Sequence, residues 1–597
     1  MTTTPAPDTF LAGNGLPARW AGRERFVVLE TGFGLGHNFL AFWQAWQLDP
    51  QRCRQLVFVS LEAQPPTRAE LARAHAGSAL ASLVQTLLAA WPPLTPNLHA
   101  IDFAAGQVRL LLALGDPARL LRELVLQADA FCIDGPAAAS NTRIVKTLGR
   151  RAALGATAVA SGAVGEMRAA LTTAGFQLEA QTGHAGRHDI TCARYQPRHT
   201  LPAAPPQPRR REAIVVGAGL AGAAVAHGLV DEGWQVSVLD RQAAPAAETS
   251  GNAGGLFHGT VHGDDGLHAR LLRTAALHTQ RVLQPLIASG AVPGQLQGLL
   301  RLETRPLAEM QALIQHQHLS ADWVQALDRQ AASAAAGVPL PGAAWFYPGG
   351  GWVSPPALVA HWLRDVRFIG GCDVQTLQAA GDGDRDDWQL RNSAGALLAQ
   401  APVVVLANAG DAARLLGADW PLQRLRGQIS GWAGAATPLL LPLAGDGYAL
   451  PLPGGGLLCG ASSHADDDNA EVRDSDHRDN FERLQRLTGL RPPADGSRWT
   501  GRVGWRIAAD DRLPIAGPVP LAQGGPRRDQ ARLWPRWPGL FVCTALGGRG
   551  ITLAPLLGRL VAAQVAGSPL PLEQDLVDAI DPVRWRVRAA RRGLLQA

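Results

Sequence analysis

Two glycine-rich turns, each following a short apolar run and opening a helical pattern, restrict this chain more than any other feature. The first is "FVVLETGFGLGHNFLAFWQAW", Phe26 to Trp46, and the second is "AIVVGAGLAGAAVAHGL", Ala213 to Leu229. Strand, tight turn and helix in that order form the opening unit of a doubly wound α/β sheet. A chain of 597 residues exceeds one ordinary core, so two such openings read as two α/β domains in series.

Between them lies "RYQPRHTLPAAPPQPRRRE", Arg194 to Glu212, where proline and arginine displace any apolar period. That composition reads as a semi-stiff linker. The expected division is a first domain over 1–194, a linker over 195–211 and a second domain over 212–597. No apolar run is long enough for a membrane helix, and "MTTTPAPDTF" lacks a signal-peptide core, so a cytoplasmic protein is expected. The six cysteines are scattered without a CxxC pair or a metal-ligand spacing, which fits reduced thiols and no metal. A net charge of +5 is compatible with a polyanionic partner without establishing one. The positive charge is almost all arginine; Lys146 is the only lysine.

In the second half Gly217, Gly219 and Gly222 spell G-x-G-x-x-G. The first glycine permits the tight turn, the second lets backbone approach a pyrophosphate, and the third lets the helix pack on the strand. "WQVSVLD" is the next strand, and Asp240 at its end is placed to accept hydrogen bonds from ribose hydroxyls, with Arg241 beside it. The continuation favours FAD over NAD. "ETSGNAGGLFHG" offers Ser250, Asn252 and Gly254 in a polar loop suited to wrapping phosphates and a flavin edge. "VVVLANAG" is a further buried strand. Near the C-terminus "GLFVCTALGGRGITLAPLLGRLVA" gives strand, turn and helix, with Gly548 and Gly550 placed to present N–H groups to a flavin. The FAD-binding parts are expected over about 212–262, 400–412 and 538–570, with an inserted α+β substrate domain between them.

In the first half Glu30, Gly32, Gly34 and Gly36 form E-x-G-x-G-x-G, a loop similar to that of class I, Rossmann-like methyltransferases that bind S-adenosylmethionine. "LVFVSLE" ends in Glu62, placed for ribose hydroxyls. "ALGDPARLL" puts Gly115 and Asp116 after a third strand, where an acid meets the adenine amine, and "ADAFCIDGPA" ends a fourth strand at Asp134. Each acid taken alone also reads as a helix cap or turn residue.

The second half resembles the glycine-oxidase and D-amino-acid-oxidase superfamily over about 212–570. "FYPGGGWVSPPAL", "RGQIS", "DGYALP", "CGASS", "GRVGWRIAADDRLPIAG" and "GGRG" narrow that resemblance. Together with "FLAGNGLPARW" and "ETGFGLGHNFL" in the first half, they look like the bifunctional bacterial family that makes 5-methylaminomethyl-2-thiouridine in tRNA. The resemblance implies that FAD oxidises a carboxymethylaminomethyl group on the wobble uridine. The imine hydrolyses, glyoxylate departs, and the freed amine is methylated from S-adenosylmethionine. It implies that Arg506, or failing that Arg549, holds the substrate carboxylate, and that Asp134 orients the amine at the methyl-transfer site. The sequence departs from the family after Asp134, where "DGPAAASNTRIV" replaces D-G-F-x-P and a nearby tryptophan, so cofactor binding follows more directly than methyl transfer.

The alternative is an amine or amino-acid oxidase acting on a small free substrate, with a vestigial first domain. A monomer is expected, because one chain already supplies both activities. "PRRRE", Pro208 to Glu212, reads equally as a phosphate contact and as a solvated charge run, and Trp20, Trp43 and Trp46 read more readily as core than as base-stacking platforms.

Overall fold

The computed structural model describes residues 7–133, 142–161, 164–179, 190–197, 210–380, 387–434, 436–525 and 527–594. The chain forms two compact units, one of Met1–Pro206 with Ser568–Gln574, the other of Gln207–Gly567 with Asp575–Ala597. The late segment joins the first unit through hydrogen bonds from Leu570 N–H to Val125 O and from Leu98 N–H to the Glu573 carboxylate.

The first unit is one eight-stranded sheet. Its strands are β1 (Arg25–Glu30), β2 (Gln55–Glu62), β3 (Leu98–Phe103), β4 (Val108–Leu114), β5 (Ala128–Ile133), β6 (Ala152–Ser161), β7 (Phe176–Leu178) and β8 (Ile190–Tyr195). They lie in the order β3-β4-β2-β1-β5-β6-β8-β7. The strands β4, β2, β1, β5 and β6 are parallel; β3 pairs antiparallel with β4, and β8 antiparallel with β6 and β7. Parallel strands are covered on both faces, which is why β1 is apolar from Phe26 through Leu29. Val27 and Leu29 enter the core on one face, Phe26 and Val28 the core on the other. The edge strand β3 corrects the sequence reading. The strand before Asp116 is the fourth rather than the third, and the strand before Asp134 the fifth. Phe10, Asn14 and Trp20, from the "FLAGNGLPARW" segment, are fully buried, and Asn14 is fixed by bonds to Phe10 O and from the Thr157 hydroxyl.

The second unit contains a six-stranded sheet built from β9 (Glu212–Val216), β10 (Gln235–Leu239), β11 (Arg367–Ile369), β12 (Val403–Leu406), β13 (Ile515–Pro520) and β14 (Arg536–Thr544), in the order β11-β10-β9-β12-β14-β13. All neighbours are parallel except β13 with β14. The helices Leu220–Asp231 and Gly550–Ala566 pack together almost backbone to backbone. A Cβ on Gly558 would stand 2.4 Å from the Ala224 carbonyl carbon, and one on Gly228 3.1 Å from the Ala562 Cβ. A nine-stranded sheet carries the inserted part. Its longest pairing joins Leu422–Ala433 to Trp499–Ala509, antiparallel, with Leu425 opposite Arg506.

Candidate functional sites

In the first unit the strand order reverses at β1, with β2 on one side and β5 on the other; in such sheets ligands bind at the carboxyl ends beside that switch. The loop Thr31–Gly36 leaves β1 there. Thr31 N–H donates to Cys132 O of β5 (3.1 Å) and Phe33 N–H to Leu61 O of β2 (3.1 Å), so the loop is strapped across the switch. Gly34 has φ +52°, a left-handed value that favours glycine. A Cβ on Gly32 or Gly34 would meet no described residue within 4 Å, so both present bare backbone. At Gly36, the residue before the helix His37–Leu48, a Cβ would instead crowd the Phe33 ring at 2.7 Å. Beneath the loop Glu30 is buried and accepts from Asn38 Nδ2 and the Ser60 hydroxyl, both at 2.8 Å.

Glu62 supports the loop directly: its Oε2 accepts from Gly34 N–H and its Oε1 from Gln64 N–H, each at 2.8 Å. The neighbouring β4 reaches the same point, where Gly115 N–H donates to Glu62 O (2.9 Å). Asp116 acts as the cap of the helix Pro117–Glu123, accepting from Ala118 and Arg119 N–H at 3.2 Å each. Asp134 lies outside the described residues. Trp20, Trp43 and Trp46 are buried core, and the indoles of Trp20 and Trp46 are used internally, on Asp49 and on Cys53 O. The Thr31 hydroxyl, at the mouth of the loop, is buried without a partner among the described residues. That orphan, the bare glycine backbone and the Glu62 carboxylate fit an adenosyl group with its methionine part.

In the second unit a cavity of about 510 Å³ is lined by every residue singled out there from sequence except Gly222. Gly222 acts from below: a Cβ on it would stand 1.8 Å from Gly217 O. Gly217 has φ +106°, and a Cβ there would sit 2.6 Å from Ala407 O of the adjacent strand end. The Ser250 hydroxyl accepts from Leu220 N–H (3.0 Å) at the helix start. Asp240 accepts from Ala218 N–H (2.6 Å) and Gln242 N–H (2.8 Å), holding the turn while its outer lone pairs stay available to hydroxyls. Arg241 pairs with Glu248 (3.3 Å) and Asp411 (3.5 Å). The loop carrying Ser250 is tied to the strand carrying Arg506: Arg502 donates to Ala247 O and Glu248 O, and the Thr249 hydroxyl to Trp505 O. The Asn408 side-chain oxygen, buried in the cavity wall, has no hydrogen-bond partner among the described residues. A pyrophosphate over Gly217–Leu220 and a flavin along Gly548–Gly550 fit this cradle.

At the other end of the cavity three guanidiniums gather. Arg506 Nη2 donates to Ser462 O (3.0 Å), and a Cβ on Gly548 would lie 3.7 Å from Arg506 Nη1. Arg549 Nη1 donates to His258 Nε2 (2.8 Å). Neither Arg506 nor Arg549 has a carboxylate partner among the described residues, and burial lowers the pKa of both; for Arg549 the charge of Arg301 adds to the effect. Arg301 also lines the cavity, 3.7 Å from the Glu303 carboxylate. His258 is buried, and its Nδ1–H donates to Gly259 O (2.5 Å), so Nε2 carries the lone pair that receives Arg549. Burial first, and then Arg549, hold His258 well below its ordinary pKa of 6.5, hence neutral. Tyr448, whose phenol burial pushes far above its usual range, completes this end. Uncompensated buried cations are costly. A bound carboxylate removes that cost, and bidentate guanidinium pairing is its natural partner.

Sequence reasoning missed His258, Arg301, Tyr448 and Asn408. His258, Asn408 and Tyr448 stood inside segments already quoted, "ETSGNAGGLFHG", "VVVLANAG" and "DGYALP"; Arg301 lies in a short strand, Leu299–Leu302, with no motif around it. Arg210, within the basic run before β9, is committed to the buried Asp387 carboxylate in a bidentate pair and to Glu212.

Both units thus carry the glycine turn and strand-end acid of a nucleotide-containing cofactor. Family models agree: residues 212–564 match "FAD dependent oxidoreductase" and residues 78–196 match "S-adenosyl-L-methionine-dependent methyltransferase". The chain is therefore a methyltransferase–oxidoreductase fusion, with S-adenosylmethionine and FAD as its cofactors. It belongs to the family of the tRNA 5-methylaminomethyl-2-thiouridine biosynthesis bifunctional protein MnmC. The member from Methylibium petroleiphilum is 48% identical over 97% of this chain and 93% of its own length; that from Paraburkholderia phytofirmans is 38% identical over 98% and 93%. Among solved structures, L-proline dehydrogenase from P. horikoshii shares the fold of the second unit (TM-score 0.51, 15% identity, covering 65% of this chain and 100% of that one). No helix among the described residues is long and apolar enough to cross a membrane.

Proposed function

We propose that this chain performs two consecutive steps on the wobble uridine of tRNA. The second unit removes the carboxymethyl group from 5-carboxymethylaminomethyl(-2-thio)uridine as glyoxylate, and the first unit methylates the 5-aminomethyl product. Full-length relatives named for this biosynthesis favour it over an oxidase of small free amines with a vestigial first unit. The observation that carries the chemistry is the pair Arg506 and Arg549, at the wall of a cavity with a dinucleotide turn and without a carboxylate of their own.

FAD, when bound, supplies the hydride acceptor for the N–CH2 carbon. Arg506 and Arg549 hold the substrate carboxylate, which fixes the carbon's distance and orientation. Their charge, with that of Arg301, disfavours an ammonium at the same place and so favours the free amine that the oxidation needs. The helix Gly550–Ala566 begins in the cavity wall and favours negative charge there. In the first unit S-adenosylmethionine supplies the methyl group. Gly32, Gly34, Gly36 and Glu62 hold it, with Asp116 at the adenine end, and Asp134 orients the amine and accepts its N–H. One chain suffices for both steps, consistent with a monomer.

The test follows the wobble nucleoside by mass after incubating undermodified tRNA with the holoenzyme, before and after S-adenosylmethionine is added. Arg506→Ala leaves the carboxymethyl form unreacted; Asp134→Ala accumulates the primary amine. Turnover of glycine or sarcosine with no change in the tRNA would overturn the assignment.

A further inference from the structure

The C-terminal helix Arg584–Arg591 packs on the turn Ala531–Leu533, burying Val583, Val587, Ala531 and Trp534 together. Around this small core the surface is arginine. Arg527, Arg532, Arg591 and Arg592 are exposed, and Arg586 and Arg588 partly so. The polar groups they meet mostly do not cancel their charge. Arg586 donates to Leu521 O and Ala522 O, Arg591 to Asp529 O, and Arg532 to the Gln530 amide oxygen. Arg588 shares its one carboxylate, Asp511, with Arg584, which is buried and bidentate to it. A guanidinium held by neutral carbonyls is oriented yet keeps its full charge, and its planar fork matches phosphate oxygens.

The position of this face matters. Asp511, the anchor of Arg584 and Arg588, is five residues beyond Arg506 in the chain, so the two backbones are no more than about 18 Å apart. That spacing sets Asp511, and with it Arg588, near enough to Arg506 for the backbone flanking a bound nucleotide to reach Arg588. The basic run that reads equally as a phosphate contact and as a solvated charge run, by contrast, has Arg210 paired with Asp387.

We infer that the face formed by Arg586, Arg588, Arg591, Arg592, Arg527 and Arg532 is a docking surface for the sugar–phosphate backbone of the tRNA substrate. This rests on the reading of the chain as a tRNA-modifying enzyme. The contact is with phosphate, so it positions the nucleic acid and carries no base preference. It is also salt-dependent, since each neutralised phosphate releases counterions.

The test measures binding of unmodified tRNA to the holoenzyme across a series of salt concentrations. Three proteins are compared: the unaltered chain, the triple variant Arg586→Gln, Arg591→Gln, Arg592→Gln, and a control with the same charge change elsewhere, Arg364→Gln, Arg367→Gln, Arg478→Gln. Flavin content and melting temperature verify that each is folded. The expected result is a shallower dependence of log K on log[salt] for the first variant, by roughly 2 to 3 in slope, and affinity at least about tenfold weaker at 0.1 M salt, with the control unchanged. Equal binding by the first variant and the unaltered chain overturns the inference, and so does an equal loss in the control. An unaltered chain that binds no tRNA at any salt overturns the functional reading itself.

Discussion

His258 ties the stability of the oxidoreductase unit to pH in a direction that can be worked out. In the folded chain its Nδ1–H is committed to Gly259 O and its Nε2 lone pair to Arg549, so both nitrogens are in use by the neutral ring. A proton at Nε2 would remove the acceptor and set two cations 2.8 Å apart in a buried place. The folded pKa therefore lies well below 6.5, whereas the unfolded chain takes up its proton near that value. Below pH 6.5 the unfolded state binds more protons than the folded one. Stability is full above 6.5 and is lost as pH falls toward the folded value, at up to about 1.4 kcal/mol per pH unit. Between pH 7.5 and 5.0 this single group costs up to about 2 kcal/mol. Other histidines are shifted the same way, the half-buried His268 and the buried His477 among them, so the effect must be isolated by difference. His258→Gln keeps an acceptor for Arg549 and removes the titration. Urea unfolding of the holoprotein, followed by the rise in flavin fluorescence as the cofactor is released, should show the unaltered chain losing more stability than the variant over that range, by up to about 2 kcal/mol. Equal losses in the two proteins would refute the neutral, doubly committed ring.

Two further outcomes follow from the same geometry. Glu62→Ala removes the acceptor for Gly34 and Gln64 N–H, so S-adenosylmethionine affinity measured by calorimetry should fall by about tenfold or more, while flavin reduction by substrate is unchanged. Asp476→Asn leaves the fully buried Arg426 guanidinium, otherwise bound to Asn469 O and Glu471 O, without its carboxylate; unfolding experiments should register a loss of about 3–5 kcal/mol.

What could be read in the sequence was what the backbone demands locally. Gly217 must take a positive φ, and Gly222 must leave room for Gly217 O, so the spacing of those glycines already implies the turn and the helix behind it. The glycines at 32 and 34 are legible for a different reason: no described residue crowds them, and the room they leave suits the proposed ligand. The edge strand β3 was hidden because it follows "WPPLTPN" and carries His99 and Asp102, so neither composition nor period marks it. The assignment of Ser568–Gln574 to the first unit was hidden because long-range return of a chain leaves no local signature.

The arginine cluster shows the same division more sharply. Arg506 and Arg549 were found through the motifs they sit in, yet what supports the proposed carboxylate role is that no acid pairs with them among the described residues, and no motif records an absence. Arg301 reaches the same cavity from Leu299–Leu302, and His258 meets Arg549 across 291 residues of chain. A neutral histidine is the partner that can orient Arg549 without consuming its charge. An aspartate at 258 would pair with the guanidinium and compete with the substrate for it, whereas an imidazole lone pair holds it in place and leaves its positive charge for the anion that enters. The choice of residue at 258 is thus dictated by electrostatics, and a carboxylate introduced there should raise KM for the carboxymethyl substrate far more than it lowers kcat.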